Sequence, residues 1–97
     1  MTSMWIFKSP TDETVTFRMA PGVIKTFGRA PRADLIIDAA LVSRLHCRVE
    51  AGDESVNVID LASTNGTFVN DERIAHATLT SGDRLRIGRV ELSVKKA

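Results

Sequence analysis

Cysteine is almost missing from this chain. Cys47 is the only one in 97 residues, which excludes a disulfide framework and a thiolate metal cage. No apolar run approaches the ~20 residues needed to span a bilayer as a helix. Neither sign of charge prevails, since thirteen Lys and Arg stand against twelve Asp and Glu for a formal charge of +1. Proteins that bind nucleic acid or membrane surfaces broadly show a marked basic excess. Any anion held here is therefore met by a few placed side chains. The opening stretch MTSMWIFKSPTDE lacks the basic flank and long apolar segment of a secretory signal. With a lone cysteine, that predicts a reduced, cytoplasmic setting. A helical period of apolar residues is missing too. Residues 33–42 come nearest, but their apolar centre, Leu35-Ile36-Ile37, is short and rich in β-branching. There is no internal repeat, low-complexity tract or linker.

What the chain does contain is short alternating segments every eight to twelve residues, parted by turn formers, as in an all-β sandwich or barrel. The pattern predicts strands over 4–8, 14–19, 23–27, 35–37, 45–50, 55–60, 67–69, 72–74, 84–87 and 91–95. Between them lie Pro10-Thr11-Asp12, Pro21-Gly22, Ala51-Gly52-Asp53, Asn65-Gly66, Asn70-Asp71 and Ser81-Gly82-Asp83, each a strong turn signal. The length fits one domain over 1–97. A domain this small buries only about two-thirds of its unfolded surface, which leaves most polar chemistry near solvent.

The densest chemistry is LVSRLHCRVE at 41–50. If 45–50 is a strand, Leu45, Cys47 and Val49 share one face and Arg44, His46, Arg48 and Glu50 the other. Cys47 then reads as a small buried hydrophobe. Ser43 and His46 are an odd number of residues apart and point to opposite sides of an extended chain, as do Cys47 and His46. A nucleophile needs its base within ~3 Å, so a Ser–His or Cys–His pair inside this stretch is poorly supported. His46, Cys47 and His76 have no metal-ligand spacing, and His76 reads as an exposed loop residue. No catalytic residue, metal or cofactor is expected.

Three segments taken together resemble the forkhead-associated (FHA) domain: Phe27-Gly28-Arg29, Ser43-Arg44-Leu45-His46 and Ser63-Thr64-Asn65-Gly66-Thr67-Phe68-Val69-Asn70. Asp34-Leu35-Ile36-Ile37-Asp38 and Ser81-Gly82-Asp83-Arg84-Leu85-Arg86-Ile87-Gly88 fall where the family has related sequence. Singly these are weak, because Asn-Gly is also the commonest hairpin signal. Jointly, and in order, they are specific. The resemblance covers nearly the whole chain, with a core from about 5 to 94. Ala39-Ala40 stands where a more polar loop is expected.

The resemblance implies a two-sheet β-sandwich of about ten or eleven short, mostly antiparallel strands, with recognition loops at one end. It also implies a phosphothreonine-peptide-binding adaptor that recruits proteins phosphorylated by a serine/threonine kinase and does no catalysis. By it, Arg29, Ser43 and Arg44 hold the phosphate. Ser43 would donate its hydroxyl and also its backbone amide, while Arg29 offers a planar fork of donors. Thr64 and Asn65 meet the peptide, the asparagine through an amide that both donates and accepts. Gly28, His46 and Gly66 support the site. The implied partner is a phosphothreonine protein or peptide, with no nucleic acid and no membrane insertion, and a monomer is favoured. So little chain precedes the first predicted strand or follows the last that self-binding through a phosphorylated tail is not expected. Three rivals stand beside it. One is an FHA-fold scaffold whose contacts or self-association need no phosphate. Another is a small hydrolase or phosphatase using Ser43 or Cys47, which the odd spacing opposes. The third is nucleic-acid binding through Arg29, Arg32, Arg44 and Arg48, which the near-neutral charge opposes.

Overall fold

A computed structural model describes residues 4–12 and 15–97. Eleven strands run in chain order: β1 Trp5–Lys8, β2 Thr16–Met19, β3 Ile24–Gly28, β4 Leu35–Ile36, β5 Cys47–Ala51, β6 Val56–Asp60, β7 Thr67–Val69, β8 Glu72–Ile74, β9 His76–Leu79, β10 Arg84–Ile87 and β11 Val90–Lys96. They form a six-stranded sheet ordered β2-β1-β11-β10-β7-β8 and a five-stranded sheet ordered β4-β3-β5-β6-β9. All pairings are antiparallel except β3 with β4, which run parallel. The all-β sandwich expected from the alternation is the fold observed. Among the described residues there are no helices.

The core forms because alternate residues of facing strands point into one layer. Trp5, Phe7, Leu85, Ile87, Leu92 and Val94 come from the six-stranded sheet and meet Phe27, Cys47, Val49, Val56, Val58 and Leu79 from the other. Phe27 receives two edge-on rings, Phe7 at 5.7 Å and Phe17 at 5.2 Å between centroids. Such pairs contribute about 0.5–1.5 kcal/mol beyond area burial. Trp5 is fully buried, and its indole N–H donates to the Gly52 carbonyl at 2.8 Å. The β7–β8 hairpin turns on Asn70 and Asp71 with φ of 49° and 69°, the doubly positive geometry that suits a two-residue hairpin.

Three expectations need correcting. His76 is not in a loop: it opens β9, an exposed edge strand paired with β6 and absent from the expected set. The strand expected over 45–50 starts at Cys47 and runs to Ala51. Leu45 and His46 therefore precede it and escape its alternation; His46 is fully buried, whereas parity would have put it on the outer side. Other strand ends move by one residue or so, as fraying ends do. Thr14, the expected start of the second strand, lies outside the described residues, as do Met1 to Ser3 and Glu13.

Candidate functional site

The loops at one end of the sandwich are held together by backbone pairing and by side chains that bond to the backbone of neighbouring loops. β3 ends at Gly28, where a Cβ would lie 2.0 Å from the Arg44 carbonyl oxygen. Only glycine lets the two chains approach so closely. Just beyond, Arg29 N–H donates to Ser43 O at 3.0 Å and Ala30 N–H to Arg44 O at 3.1 Å. The Arg29 side chain continues the join, Nε donating to Val42 O at 3.0 Å. This contact orients the guanidinium and leaves both terminal nitrogens without a partner among the described residues.

His46 ties the second loop to the third. Its Nδ1 accepts the Ser43 backbone N–H at 3.0 Å, and its Nε2 faces the Gly66 carbonyl at 2.8 Å. An amide can only donate, so Nδ1 is bare and Nε2 carries the proton. Burial lowers the His46 pKa, opposed in part by the Gly66 carbonyl and the nearby Asp60. The ring is held neutral in the one tautomer that satisfies both loops. This arrangement changes one expectation: the Ser43 amide is occupied by His46 and cannot also serve a ligand. The Ser43 hydroxyl oxygen accepts from Thr64 N–H at 3.1 Å, which leaves its hydrogen to donate elsewhere.

The third loop hangs from Asp60. Its carboxylate accepts from the Ser63 hydroxyl, from Thr67 Oγ1 at 2.7 Å and from Ser63 N–H at 3.1 Å. Ser63 Oγ in turn accepts Gly66 N–H at 3.1 Å. Partial burial would raise the Asp60 pKa, but these hydrogen bonds and His46 outweigh it, and the carboxyl titrates below its usual range. Gly66 turns the chain at φ 93°, a conformation that favours glycine. Asn65 is exposed at the tip, with Nδ2 donating to Leu41 O at 3.1 Å. Its carbonyl oxygen and second amide hydrogen have no partner among the described residues.

Beside this lattice opens a concavity of about 570 Å³ lined by Arg29, Ala30, Pro31, Arg32 and Arg44. All three arginines are exposed, and none is in an ion pair among the described residues. Every residue expected to serve the site falls within the three interlocked loops except Gly28, which ends β3 beside them. Ser43, Thr64 and Asn65 do not line the concavity; Ser43 precedes Arg44 in the chain, and its hydroxyl accepts from Thr64 N–H. Arg48, grouped with the arginines when nucleic acid was weighed, lies on the outer face of β5, paired with Glu50 at 3.1 Å.

One contributor escaped the sequence reading, and another entered it only in the nucleic-acid alternative. Asp60 looks like a strand-end residue, and only its spacing to Ser63 and Thr67 hinted at an anchor. Arg32 looks like any loop cation until the fold sets it beside Arg29. Cys47 is fully buried, and burial drives its thiol pKa far above the ordinary value, so it is no nucleophile. Among the described residues, no three His, Cys, Asp or Glu side chains cluster as metal ligands, and no helix is long and apolar enough to cross a membrane.

This end-loop geometry on a two-sheet sandwich defines a binding module. The family model of the FHA domain matches residues 25–88, and the chain belongs to the FHA family. It is 39% identical over 69 residues to the glycogen accumulation regulator GarA of Mycobacterium tuberculosis, a match covering 71% of this chain and 43% of that protein. To the oxoglutarate dehydrogenase inhibitor of Corynebacterium diphtheriae it is 42% identical over 67 residues, covering 69% of this chain and 47% of the other. The matched part is thus less than half the length of these relatives. Among solved structures, Mycobacterium tuberculosis EmbR in complex with a low-affinity phosphopeptide superposes with a TM-score of 0.85 and 27% identity, covering 95% of this chain and 24% of EmbR.

Proposed function

We propose that this chain is a phosphothreonine-peptide-binding adaptor module, working inside the cell to recruit proteins marked by a serine/threonine kinase and catalysing nothing itself. The observation that carries this reading is the trio of arginines around one concavity, none in an ion pair among the described residues. Ser43 is next to Arg44 in the chain, its hydroxyl already accepting a hydrogen bond and so poised to donate. A phosphate brings about −1.5 to −2 charges at pH 7. Arg29 and Arg44 supply cations for it, and the Ser43 hydroxyl supplies a neutral donor. Asn65, anchored to Leu41 by one amide hydrogen, offers the other and its carbonyl oxygen to a ligand's main chain. Thr64 stands next to it.

Charge-assisted hydrogen bonds contribute roughly 1.5–3 kcal/mol each. Three or four, less the cost of ordering a peptide, leave affinity near micromolar, about −8 kcal/mol, which suits reversible signalling. A preference for phosphothreonine over phosphoserine would come from one buried methyl, worth about 1–3 kcal/mol. EmbR, solved with a phosphopeptide, and GarA, named a regulator, support the reading.

A phosphothreonine peptide library screened against the purified chain, followed by calorimetry on the best sequence, tests it. Micromolar binding that disappears for the unphosphorylated twin is the expected result. Equal affinity for both would turn the reading to a phosphate-independent scaffold.

A further inference from the structure

The two outer sheet faces differ in charge. On the six-stranded sheet, alternation sends the core residues inward and turns Arg18, Lys8, Lys95, Arg84, Arg86 and Arg73 outward. The register lays them in rows: Arg18 opposite Ile6 opposite Lys95, then Lys8 opposite Ser93 opposite Arg84, then Glu91 opposite Arg86 opposite Phe68 opposite Arg73. Those six cations share the rows with a single carboxylate, Glu91. Arg84 reaches Asp71 at 2.9 Å and Glu91 at 3.8 Å, and Arg86 lies 3.9 Å over the Phe68 ring. Arg18, Lys8, Lys95 and Arg73 have no ion partner among the described residues. The five-stranded sheet offers a contrast: its outer face carries Arg48 and Glu50, which neutralise one another at 3.1 Å. Because the whole chain has a formal charge of only +1, the basic face reflects segregation and not composition.

From this segregation we infer that the outer face of the six-stranded sheet is a second docking surface, for an acidic segment of a partner protein. Outward residues two apart on a strand, such as Arg84 and Arg86, stand ~7 Å from each other, the spacing of alternate residues in an extended chain. An extended segment with acids at alternate positions matches that repeat. Unpaired cations on one face also steer an acidic partner and fix its orientation. A membrane fits less well, since the exposed large apolar residues, Ile24 and Ile36, both belong to the other sheet. A nucleic acid fits less well because the chain lacks an overall basic excess. At its edge the face meets the recognition loops, for the Arg73 guanidinium lies against Gly66, its Nε 2.9 Å from where a Cβ would be.

The inference does not depend on phosphate binding, and its test uses none. The isotope-labelled chain is titrated at low ionic strength with an unphosphorylated peptide alternating Glu and Ser, and with its Gln isostere. The acidic peptide is expected to bind about tenfold more tightly, to shift amide signals of β1, β10 and β11, and to weaken as salt is added. The exposed-site variant Lys8→Gln/Arg18→Gln/Lys95→Gln, checked for an unchanged melting temperature, should lose most of that preference. Equal binding of the two peptides, an undiminished preference in the variant, or shifts confined to Arg29, Arg32 and Arg44 would overturn the assignment. So would duplex DNA or phosphatidylserine vesicles producing the same shifts at lower concentration.

Discussion

The two ends of the sandwich are built from similar turn residues and put them to different use. At the far end, turns at 20–23, 52–55 and 80–83 spend their polar groups inward. Asp83 accepts Thr80 N–H at 2.8 Å and Asn70 Nδ2 at 3.1 Å, the Gly52 carbonyl takes the Trp5 indole, and Lys96 reaches Glu54 at 3.4 Å. At the recognition end the loops are bound to one another just as fully, yet among the described residues Arg29, Arg32 and Arg44 have no ion partner, and the terminal nitrogens of Arg29 are free beyond its Nε bond to Val42 O. One end is a set of closures. The other is a rigid frame holding unspent donors, and such donors are what a charged ligand needs.

The comparison is broken most severely by removing the cation that both braces the frame and faces outward. Arg29→Ala is expected to reduce phosphopeptide affinity by about 100-fold, from the loss of one or two charge-assisted bonds, while calorimetric melting falls only by the few degrees that loss of the Val42 contact implies. Near-normal affinity would remove Arg29 from the phosphate site. Asn65→Ala should cost about tenfold in affinity, a neutral hydrogen-bond loss, for a peptide that keeps its phosphate. Unchanged binding would reduce Asn65 to a turn former.

The neutral His46 predicts a pH window. Its folded pKa lies below the ordinary 6.5 because of burial, so the unfolded chain takes up the proton first. Stability is complete above about 6.5 and declines as the pH falls from there toward the lowered value. Asp60, also lowered, adds a separate loss at more acidic pH, below about 4. Denaturant unfolding at a series of pH values measures both. The upper window should vanish in His46→Gln, and its survival would assign the effect elsewhere.

At the far end, Asp83→Ala should lower stability by about 1–2 kcal/mol, as for lost capping bonds, without changing peptide affinity. A binding defect there would erase the distinction between the ends. The smallest effect concerns Ala62, which sits at φ 55° in the third loop. Left-handed backbone costs a residue with a Cβ roughly 1 kcal/mol, so Ala62→Gly should raise the melting temperature by a few degrees with binding intact.

Most strands were legible because their residues alternate and their turns carry Gly, Asn, Asp and Pro. β9 was not. His76-Ala77-Thr78-Leu79 has one large apolar residue, and its strand character comes from pairing with β6 at the sheet edge. His46 deceived for a related reason: parity arguments hold only inside a strand, and the chain bends before Cys47. Its support of the loops was suggested only by the family resemblance. Arg32 gave no local sign of its role, and Asp60 gave only its spacing to Ser63 and Thr67, since a loop cation and a strand-end acid look alike wherever they occur.

Local chemistry in the chain determined where it turns, which faces are apolar, and so that the protein is a sandwich. Tertiary structure alone decided that Arg29, Ser43 and Asn65 belong to one frame. The contacts that join their loops span 13 residues from Arg29 to Val42, 21 from Ser43 to Thr64 and 24 from Leu41 to Asn65. Each joins a side chain to a backbone group far away in the chain, and such groups meet only after the two sheets have packed and carried the loops to one end.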